Sequence, residues 1–405
     1  MSVTYTPVVT ESERPEHRHL YVPAFEVRVS GSNLPDGVLR DIMELTYRDS
    51  LTEIDQFELT VNNWDPTSRR CKYIGSETPE ELEKADEKGL PFKLFEPCSK
   101  LVSVNFGYVG RQLLMMTGNF TTMEPNFPSS GAPVLTVRGL NVLHQLRRKK
   151  YSTAWEQKKP SFIAKNLSKL VDGGKPRFPC EIEVDDKADG DEAPIPYVTQ
   201  TDQTDIDFLL NFARQQGYEL FVKEFNDQGR PKTLFFGRGR RARTPVNYRL
   251  DWGRTLIDFK PSLTTAGQFK SITVRGWDRR AQKPIKEKIS YDDPEVKKLN
   301  ANMREMIVEC DPREEQVVDL PVFTTADAKR RAIGLMTDNK ARMVKATGST
   351  VGLPELRAGT KINIQGVGAR LSGEYLVTKT THSIGSGGYI TKFECRREDF
   401  TEPPR

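Results

Sequence analysis

The sequence lacks the features that mark membrane, secreted and disulfide-rich proteins. It has no run of about eighteen apolar residues, which argues against a transmembrane helix. Its start, Met1 to Thr10, has neither the basic residues nor the apolar core of a signal peptide. The 5 cysteines are odd in number and scattered, so reduced thiols fit better than disulfides or a zinc site. We therefore expect a protein that remains in the cytoplasm of the cell that makes it.

The usual catalytic signatures are also missing. The sequence contains no G-x-S-x-G and no H-E-x-x-H. Gly174-Lys175 lacks the Walker spacing, and Gly366-Val367-Gly368 is followed by strand residues instead of a helix. With 61 basic and 56 acidic residues, the net charge of +5 is too balanced to predict nucleic-acid binding. We expect no cofactor, and the sequence gives no positive evidence for catalysis, although its many Asp and Glu residues leave a glycosidase pair open.

Two local clusters could bind a metal, but neither has the required spacing. The acidic run 185–192 lacks the alternating oxygen ligands of a calcium loop, since Lys187 and Pro196 occupy two required positions. His17 and His19 could lie on one side of a strand, with no further ligand near them in the sequence. We expect no metal site.

A basic run follows the strand predicted at residues 233–236. Such a run could neutralise phosphates, but no aromatic residues are interleaved with it to stack on bases. Contact with an acidic protein neighbour, or simple solvation, is the favoured interpretation. The run consists of Arg238, Arg240, Arg241 and Arg243.

The first 140 residues alternate apolar and polar residues in short segments separated by turns. This pattern predicts an antiparallel barrel or sandwich. Within it, residues 66–100 form a charged insertion. There, Thr78-Pro79-Glu80-Glu81 has the pattern of a capping box and predicts a short, peripheral helix.

Residues 141–255 combine helical and strand patterns and predict a lateral α+β domain. The strongest helix begins at residues 204–207 and has a wide apolar face. Gly217 is placed to end it, and a strand follows from Tyr218.

The region 256–405 predicts a second barrel. Its last part consists of glycine-punctuated strands in which apolar residues recur near period two. A connecting helical segment is expected at about 290–345, with a helix beginning near Thr324 or Thr325. The tetrapeptide Thr-Val-Arg-Gly ends alternating strands at both 136–139 and 273–276, which suggests that the two barrels are related.

Three stretches together resemble the phage late control D family, the baseplate hub proteins of contractile tails. That family includes the hub portion of VgrG-like type VI secretion spike proteins. Residues 352–396 match its G-x-P-x-L-x-x-G start, G-x-G turn, S-G-x-Y, following His and G-Y-x-T-x-F, while 198–218 and 269–278 supply shorter matches. The resemblance implies structural roles, for His382 a structural hydrogen bond, at the following positions: Asp205, Asp207, Phe208, Gly217, Tyr218, Gly276, Trp277, Asp278, Gly359, Gly366, Gly373, Tyr375, His382, Gly388, Tyr389 and Phe393.

The resemblance implies a mainly β protein with two related antiparallel barrels and a lateral α/β domain. It implies a homotrimeric ring that adapts a hexameric inner tube, or a tube initiator, to a trimeric spike and contacts other baseplate proteins. Longer relatives continue into a needle, and this sequence ends at Arg405 without needle repeats, so we expect a separate spike protein. We expect assembly in the bacterial cytoplasm into a virion-like or injection particle, without membrane insertion or specific nucleic-acid binding. The alternative is a hub-associated cell-wall hydrolase with an active site in 141–255.

Overall fold

The computed structural model describes most of the chain, and all structural statements below refer to that part. No helix in it is long and apolar enough to span a membrane. The described residues are 5–8, 22–85, 91–98, 100–178, 180–184, 192–216, 218–225, 231–237, 247–278, 281–294, 296, 310, 313–318, 322 and 324–397.

The first part of the chain is built mainly from strands, as its alternating pattern predicts. Its two α-helices are α1 (Asp36–Asp41) and α2 (Pro79–Glu83), and 3-10 helices span Pro91–Lys93 and Val142–Arg147. Its strands are β1 (Thr6–Pro7), β2 (Pro23–Val29), β3 (Ser32–Asn33), β4 (Ile42–Ser50), β5 (Gln56–Asn62), β6 (Trp64–Asp65), β7 (Arg70–Cys71), β8 (Leu101–Tyr108), β9 (Arg111–Asn126) and β10 (Val134–Asn141).

The middle part mixes helices and strands. Its helices are α3 (Pro160–Ser168) and α4 (Asp205–Gln216). Its strands are β11 (Lys150–Lys158), β12 (Val171–Asp172), β13 (Lys175–Pro176), β14 (Glu181–Val184), β15 (Ile195–Thr204), β16 (Glu219–Phe225) and β17 (Pro231–Gly237).

The last part returns to strands and contains one long helix, α5 (Thr325–Ala341). This helix begins where the sequence predicts, with the Thr324 hydroxyl accepting a hydrogen bond from the Asp327 amide. The strands are β18 (Tyr248–Asp251), β19 (Leu256–Leu263), β20 (Phe269–Asp278), β21 (Lys283–Ser290), β22 (Arg313–Val317), β23 (Val344–Val351), β24 (Lys361–Gln365), β25 (Gly373–Gly385) and β26 (Gly388–Arg397).

Fourteen of the described strands form one sheet whose two halves have the same strand order. Neighbouring strands follow the order β2-β8-β9-β10-β5-β4 in the first half and β18-β24-β25-β26-β23-β19 in the second. Numbered along the chain within each half, both series are strands 1-4-5-6-3-2. Within these two series the pairings are antiparallel except for β18 with β24, which run parallel, and outside them β1 also pairs parallel with β18. The related pair of β-rich domains predicted from sequence is therefore present in the fold.

The two halves also share their irregularities. A β-bulge at Thr121 in β9 corresponds to one at Thr378 in β25, and each threonine hydroxyl donates to a carbonyl oxygen on the next strand (Arg138, 3.3 Å; Glu394, 3.1 Å). A second bulge falls at Met43 in β4 and at Ile257 in β19. Because bulges fix local register and twist, the shared positions align the two halves residue by residue.

Four hydrophobic cores lie beneath these elements. The first half of the large sheet covers one, and the second half covers another. A third lies among α3, α4, the ribbon β11-β15 and the small sheet β14-β17-β16. The fourth lies between α5 and the small sheet β21-β20-β22.

The repeated tetrapeptide does not mark equivalent strands, and this part of the sequence argument was wrong. Residues 136–139 lie in β10 of the large sheet, whereas 273–276 lie in β20, which pairs with β21 and β22 in a separate sheet. The true counterpart of β10 is β26. Four matching residues show only that both strands have a similar sequence at their ends. The sheet to which a strand belongs is decided by the strands it pairs with, which lie far away in the sequence.

Two further details concern regions that were delimited from the sequence. The helix of the 66–100 insertion is capped as predicted, with Thr78 and Glu81 forming the capping box, and has no buried residue. Elsewhere in the insertion, Tyr73 and Phe95 are almost completely buried in the first core. In addition, β18 lies within the region assigned to the lateral domain but pairs with β24 of the second half.

Candidate functional site

The most distinctive site is the seam where the two halves of the large sheet meet. Here β4 pairs antiparallel with the second half of β25, from Lys379 opposite Ser50 to Ile384 opposite Leu45. The seam has a hydrophobic component, since Ile384 and Tyr389 from the β25-β26 hairpin belong to the first core. The C-terminal hairpin therefore completes a core that begins in the first part of the chain.

A buried ion pair crosses this seam. Asp49 on β4 accepts a hydrogen bond from Arg357 Nε at 2.7 Å, and both side chains are nearly inaccessible to solvent. Asp49 also accepts from the Thr380 hydroxyl and, at 3.3 Å, from the Ala358 amide. Buried charges persist when paired and fully hydrogen-bonded, and this carboxylate meets that condition.

Arg357 extends the network into the first half. Its guanidinium donates to the Tyr47 hydroxyl and, at 3.1 Å, to the Met115 carbonyl oxygen, and it lies 4.7 Å from the centroid of the Tyr47 ring. Tyr47 in turn donates to Asp55 at 3.2 Å. One side chain from the segment before β24 thus contacts both β4 and β9.

His382 lies beside this network and is completely buried. Its Nε2 is 3.0 Å from the Leu356 carbonyl oxygen, so Nε2 carries the proton and donates. Its Nδ1 accepts from the Tyr389 hydroxyl at 2.9 Å, with the Thr391 hydroxyl at 3.1 Å. Burial lowers the pKa of His382 to about 3, so the ring is neutral at physiological pH. Both ring nitrogens therefore form hydrogen bonds within the protein.

The chemistry available at the seam is structural. Its carboxylate, guanidinium and imidazole are buried and bonded to one another or to backbone groups, so no substrate reaches them. Among the described residues, no three His, Cys, Asp or Glu side chains are grouped so that they could hold a metal ion. The seam is suited to holding the two halves in one register.

The predicted signature residues of the lateral region form a second, separate cluster. Asp205, at the start of α4, is buried and bonded to Arg177 and to Gln200 Nε2 (2.8 Å). Phe208 stacks on Trp155 with ring centroids 5.4 Å apart, and the Tyr218 hydroxyl donates to Glu192 at 2.7 Å. Asp207 instead pairs with Thr204 at the exposed helix start.

The remaining predicted positions are dispersed. Gly359, Gly366, Gly373 and Gly388 all have positive φ, as expected for turn glycines. Gly276, Trp277 and Asp278 lie in β20, with Trp277 about half exposed, whereas Tyr375 and Phe393 are in the second core. Gly217 and the basic run Arg238, Arg240, Arg241 and Arg243 lie outside the described residues.

Sequence reasoning missed the principal seam residues Asp49, Arg357 and Tyr47. Asp49 and Arg357 are 308 positions apart, and neither belongs to a recognisable motif. The sequence offered only an indirect indication of Arg357. This residue occupies a variable position of the G-x-P-x-L-x-x-G segment, and no role was assigned to the variable positions.

Two clefts in the described part of the chain are candidates for a catalytic site. The larger, about 780 Å³, lies beside α1 and the insertion, where Asp41 is held by Lys72 (2.6 Å) and the Tyr73 hydroxyl (2.7 Å). The smaller, about 410 Å³, lies between β15, α4 and α5. Asp327 is the only carboxylate among its described lining residues, and it is paired with Arg331 at 3.3 Å. The described lining of this second cleft thus lacks the paired carboxylates of a glycoside hydrolase.

Solved structures with the same fold come from phage tails and secretion machines. The chain superposes on the 43 kDa tail protein of prophage MuSo2 from Shewanella oneidensis with a TM-score of 0.63 at 15% identity, covering 94% of this chain and 100% of that one. A tail protein from Neisseria meningitidis gives 0.63 at 12%, covering 93% and 97%. The Escherichia coli c3393 protein, a type VI secretion component described as similar to T4 tail proteins gp27 and gp5, gives 0.52 at 11%, covering 93% and 79%.

These similarities define the class: the chain has the fold of phage tail and type VI secretion proteins, which confirms the fold expected from the hub resemblance. By sequence, the chain belongs to the family of the Alg8 N-terminal domain, whose model matches residues 92–386. A comparison with curated proteins found no match.

Proposed function

We propose that this protein is the central hub of the baseplate of a contractile tail or injection system. The observation that carries the proposal is the duplicated sheet: two halves of identical strand order, joined by a buried seam. Three copies of such a chain contain six similar units. A ring of this composition is three-fold with respect to a spike and nearly six-fold with respect to a tube.

The two halves of the large sheet form the ring wall in this proposal, and the third core forms a lateral domain. The sequence-based boundaries, 1–140, 141–255 and 256–405, describe this arrangement with two adjustments. We assign β18 to the second half, and we treat the α5 unit with β20–β22 as an addition to that half.

The proposed partners are further copies of the chain, a separate trimeric spike protein, the inner tube or its initiator, and other baseplate proteins. The similarity to c3393 supports a place in such a machine. So does the similarity to a Francisella PdpA–VgrG complex (TM-score 0.53, 9% identity, covering 95% of this chain and 59% of that one). We propose assembly in the bacterial cytoplasm, with neither membrane insertion nor specific nucleic-acid recognition.

We further propose that the protein acts structurally and not as an enzyme. The tail proteins that share its fold support this, as does the bonding of the buried carboxylates Asp49, Asp205 and Glu192 to neighbouring groups. No observation favours a hydrolase in 141–255. A peptidoglycan zymogram tests this directly, and a cleared band at the mass of this chain would contradict the structural assignment.

Single-particle imaging of the full chain, alone and mixed with a needle-like protein from its genomic neighbourhood, tests the hub. We expect three-fold class averages that show a ring with a central hole seated on a spike. A compact monomer that never binds the needle protein would overturn the proposed function.

A further inference from the structure

The duplicated sheet leaves two of its edges in unequal states, and the difference points to a second copy of this chain. In the first half, β4 uses its outer edge to pair with β25 of the same chain. Its counterpart β19 pairs with β23 alone among the described strands. Among the described strands, one half of the sheet is thus paired at an edge where the other half has no partner strand.

The partner strand shows the same asymmetry. The β25 residues that pair with β4 are those just after the bulge at Thr378. The counterpart stretch of β9 follows the bulge at Thr121 and covers residues 122–126. This stretch extends past the end of β8 and pairs only with β10 among the described strands.

We propose that β19 of one copy packs against residues 122–127 of the next copy and repeats between chains the seam that β4 and β25 make within one chain. This inference rests on the proposed hub and names its subunit interface. The contact is heterologous, and in the proposed hub it is repeated around the three-fold ring.

The bulges determine the register of this contact. The bulge at Met43 in β4 corresponds to the bulge at Ile257 in β19, so Arg48, five residues later, corresponds to Ser262. In the same way, the bulge at Thr378 in β25 corresponds to the bulge at Thr121 in β9, so Thr381, three residues later, corresponds to Glu124. Since Arg48 lies opposite Thr381 within the chain, Ser262 lies opposite Glu124 of the next copy. The same rule places Leu263 opposite Met123 and Phe259 opposite Phe127.

Exposed apolar side chains occur along both edges. Ile257 is 55% exposed and Leu263 is 37% exposed on β19, and Phe127 is 56% exposed at the end of β9. Lys260 lies diagonal to Glu124 in the proposed register, within reach of an ion pair. A second copy covers these apolar groups, and Lys260 adds to the ion pair that Glu124 already makes with Arg138 of its own chain at 2.7 Å.

Two prolines limit the backbone hydrogen bonding of the contact. In the proposed register, Pro261 of β19 lies opposite Pro125 of β9. Proline cannot donate a ladder hydrogen bond and is placed on edge strands with its nitrogen facing outward. The contact between copies therefore depends on side-chain packing more than on backbone pairing. The prolines also protect each free edge against open-ended sheet growth.

Disulfide trapping tests the register in the full chain. In a background with Cys98→Ser and Cys310→Ser, which removes two exposed thiols, the pair Glu124→Cys with Ser262→Cys should crosslink neighbouring copies. Oxidation should give covalent dimers and trimers on a non-reducing gel. The matched control, Glu124→Cys with Asp258→Cys, places the second thiol on the same face of β19 but about 13 Å away along the strand, and should not crosslink.

A charge introduced on the edge of β19 independently tests whether this edge contributes to trimer formation. Leu263→Asp should reduce the trimer fraction measured by native mass spectrometry at least tenfold, while Val318→Asp, at an exposed valine just after β22, should leave it unchanged. A wild-type trimer that neither crosslinks at 124/262 nor responds to Leu263→Asp would overturn this interface and leave the hub intact. A wild-type chain that stays monomeric with its tail partners would contradict both proposals.

Discussion

His382 shows how a titratable side chain acquires a structural role from its surroundings. Exposed imidazoles titrate near pH 6.5 and serve readily as acids, bases or metal ligands. Here the ring is enclosed between β25, β26 and the 356 carbonyl, with both nitrogens bonded. Burial prevents ligands from reaching the ring and stabilises its neutral form. The hydrogen bonds of the neutral ring to Tyr389 and to the Leu356 carbonyl oxygen then hold the β25-β26 hairpin against the seam.

This environment predicts acid sensitivity. Between pH 6.5 and about 3 the unfolded chain binds a proton at His382 that the folded chain does not. Stability from this residue is therefore complete above pH 6.5 and falls by about 1.4 kcal/mol per pH unit as the pH decreases through that window. Urea unfolding at several pH values should show a shallower pH dependence for His382→Asn than for the wild type. Thr381→Val, which alters no titratable group, should keep the wild-type slope. Equal slopes for His382→Asn and the wild type would contradict the assignment.

At the scale of elements, β20 and the segment at Val322, just before α5, approach closely because Gly276 has no side chain. A Cβ at this position would lie 2.6 Å from Val322 Cγ2 and 2.7 Å from the Val322 carbonyl oxygen. The backbone oxygen cannot move away as a flexible side chain could. Gly334, on α5 of the same unit, has open space around the corresponding position. The two glycines therefore have opposite predicted responses to the same substitution.

Gly276→Ala should destabilise the protein by about 1–3 kcal/mol through overpacking. Gly334→Ala should stabilise it by up to about 1 kcal/mol, because alanine is the better helix former. Thermal unfolding monitored by circular dichroism measures both changes. If the two variants shift the midpoint in the same direction, the close packing of β20 on the 322 segment is not what restricts position 276.

At the scale of the whole molecule, the seam joins segments that are far apart in sequence. Asp49 lies in the first half of the large sheet, Arg357 precedes β24 of the second half, and Ile384 packs in the first core. A core that draws residues from both ends of the chain cannot form before both ends are present. The two halves should accordingly unfold in one cooperative step.

The Asp49–Arg357 pair provides the test of this coupling. Arg357→Met leaves a buried carboxylate without its partner and should lower the free energy of unfolding by about 3–5 kcal/mol. In the double variant Asp49→Leu/Arg357→Met the unpaired charge is gone, so its loss should be much smaller than the sum of the single losses. A double-mutant cycle in urea measures the difference. Additive losses would show that the two groups do not interact across the seam.

The local sequence was sufficient to predict the mainly β class, the capped helices at 78–83 and 324–341, the start of α4 and the turn glycines. Each depends on neighbours a few positions away: alternation of side chains, a capping hydroxyl, or a backbone conformation that glycine adopts readily. The similarity in fold to tail proteins was likewise carried by short ordered motifs.

Only the tertiary structure decided which strands are neighbours. It separated β20 from the large sheet despite its Thr-Val-Arg-Gly match to β10, identified β26 as the true counterpart, and brought Asp49 to Arg357. These facts depend on register and on pairing over hundreds of residues. Many strands with the same alternation could pair equally well by local criteria, and the choice is made by burial and hydrogen bonding summed over the whole sheet.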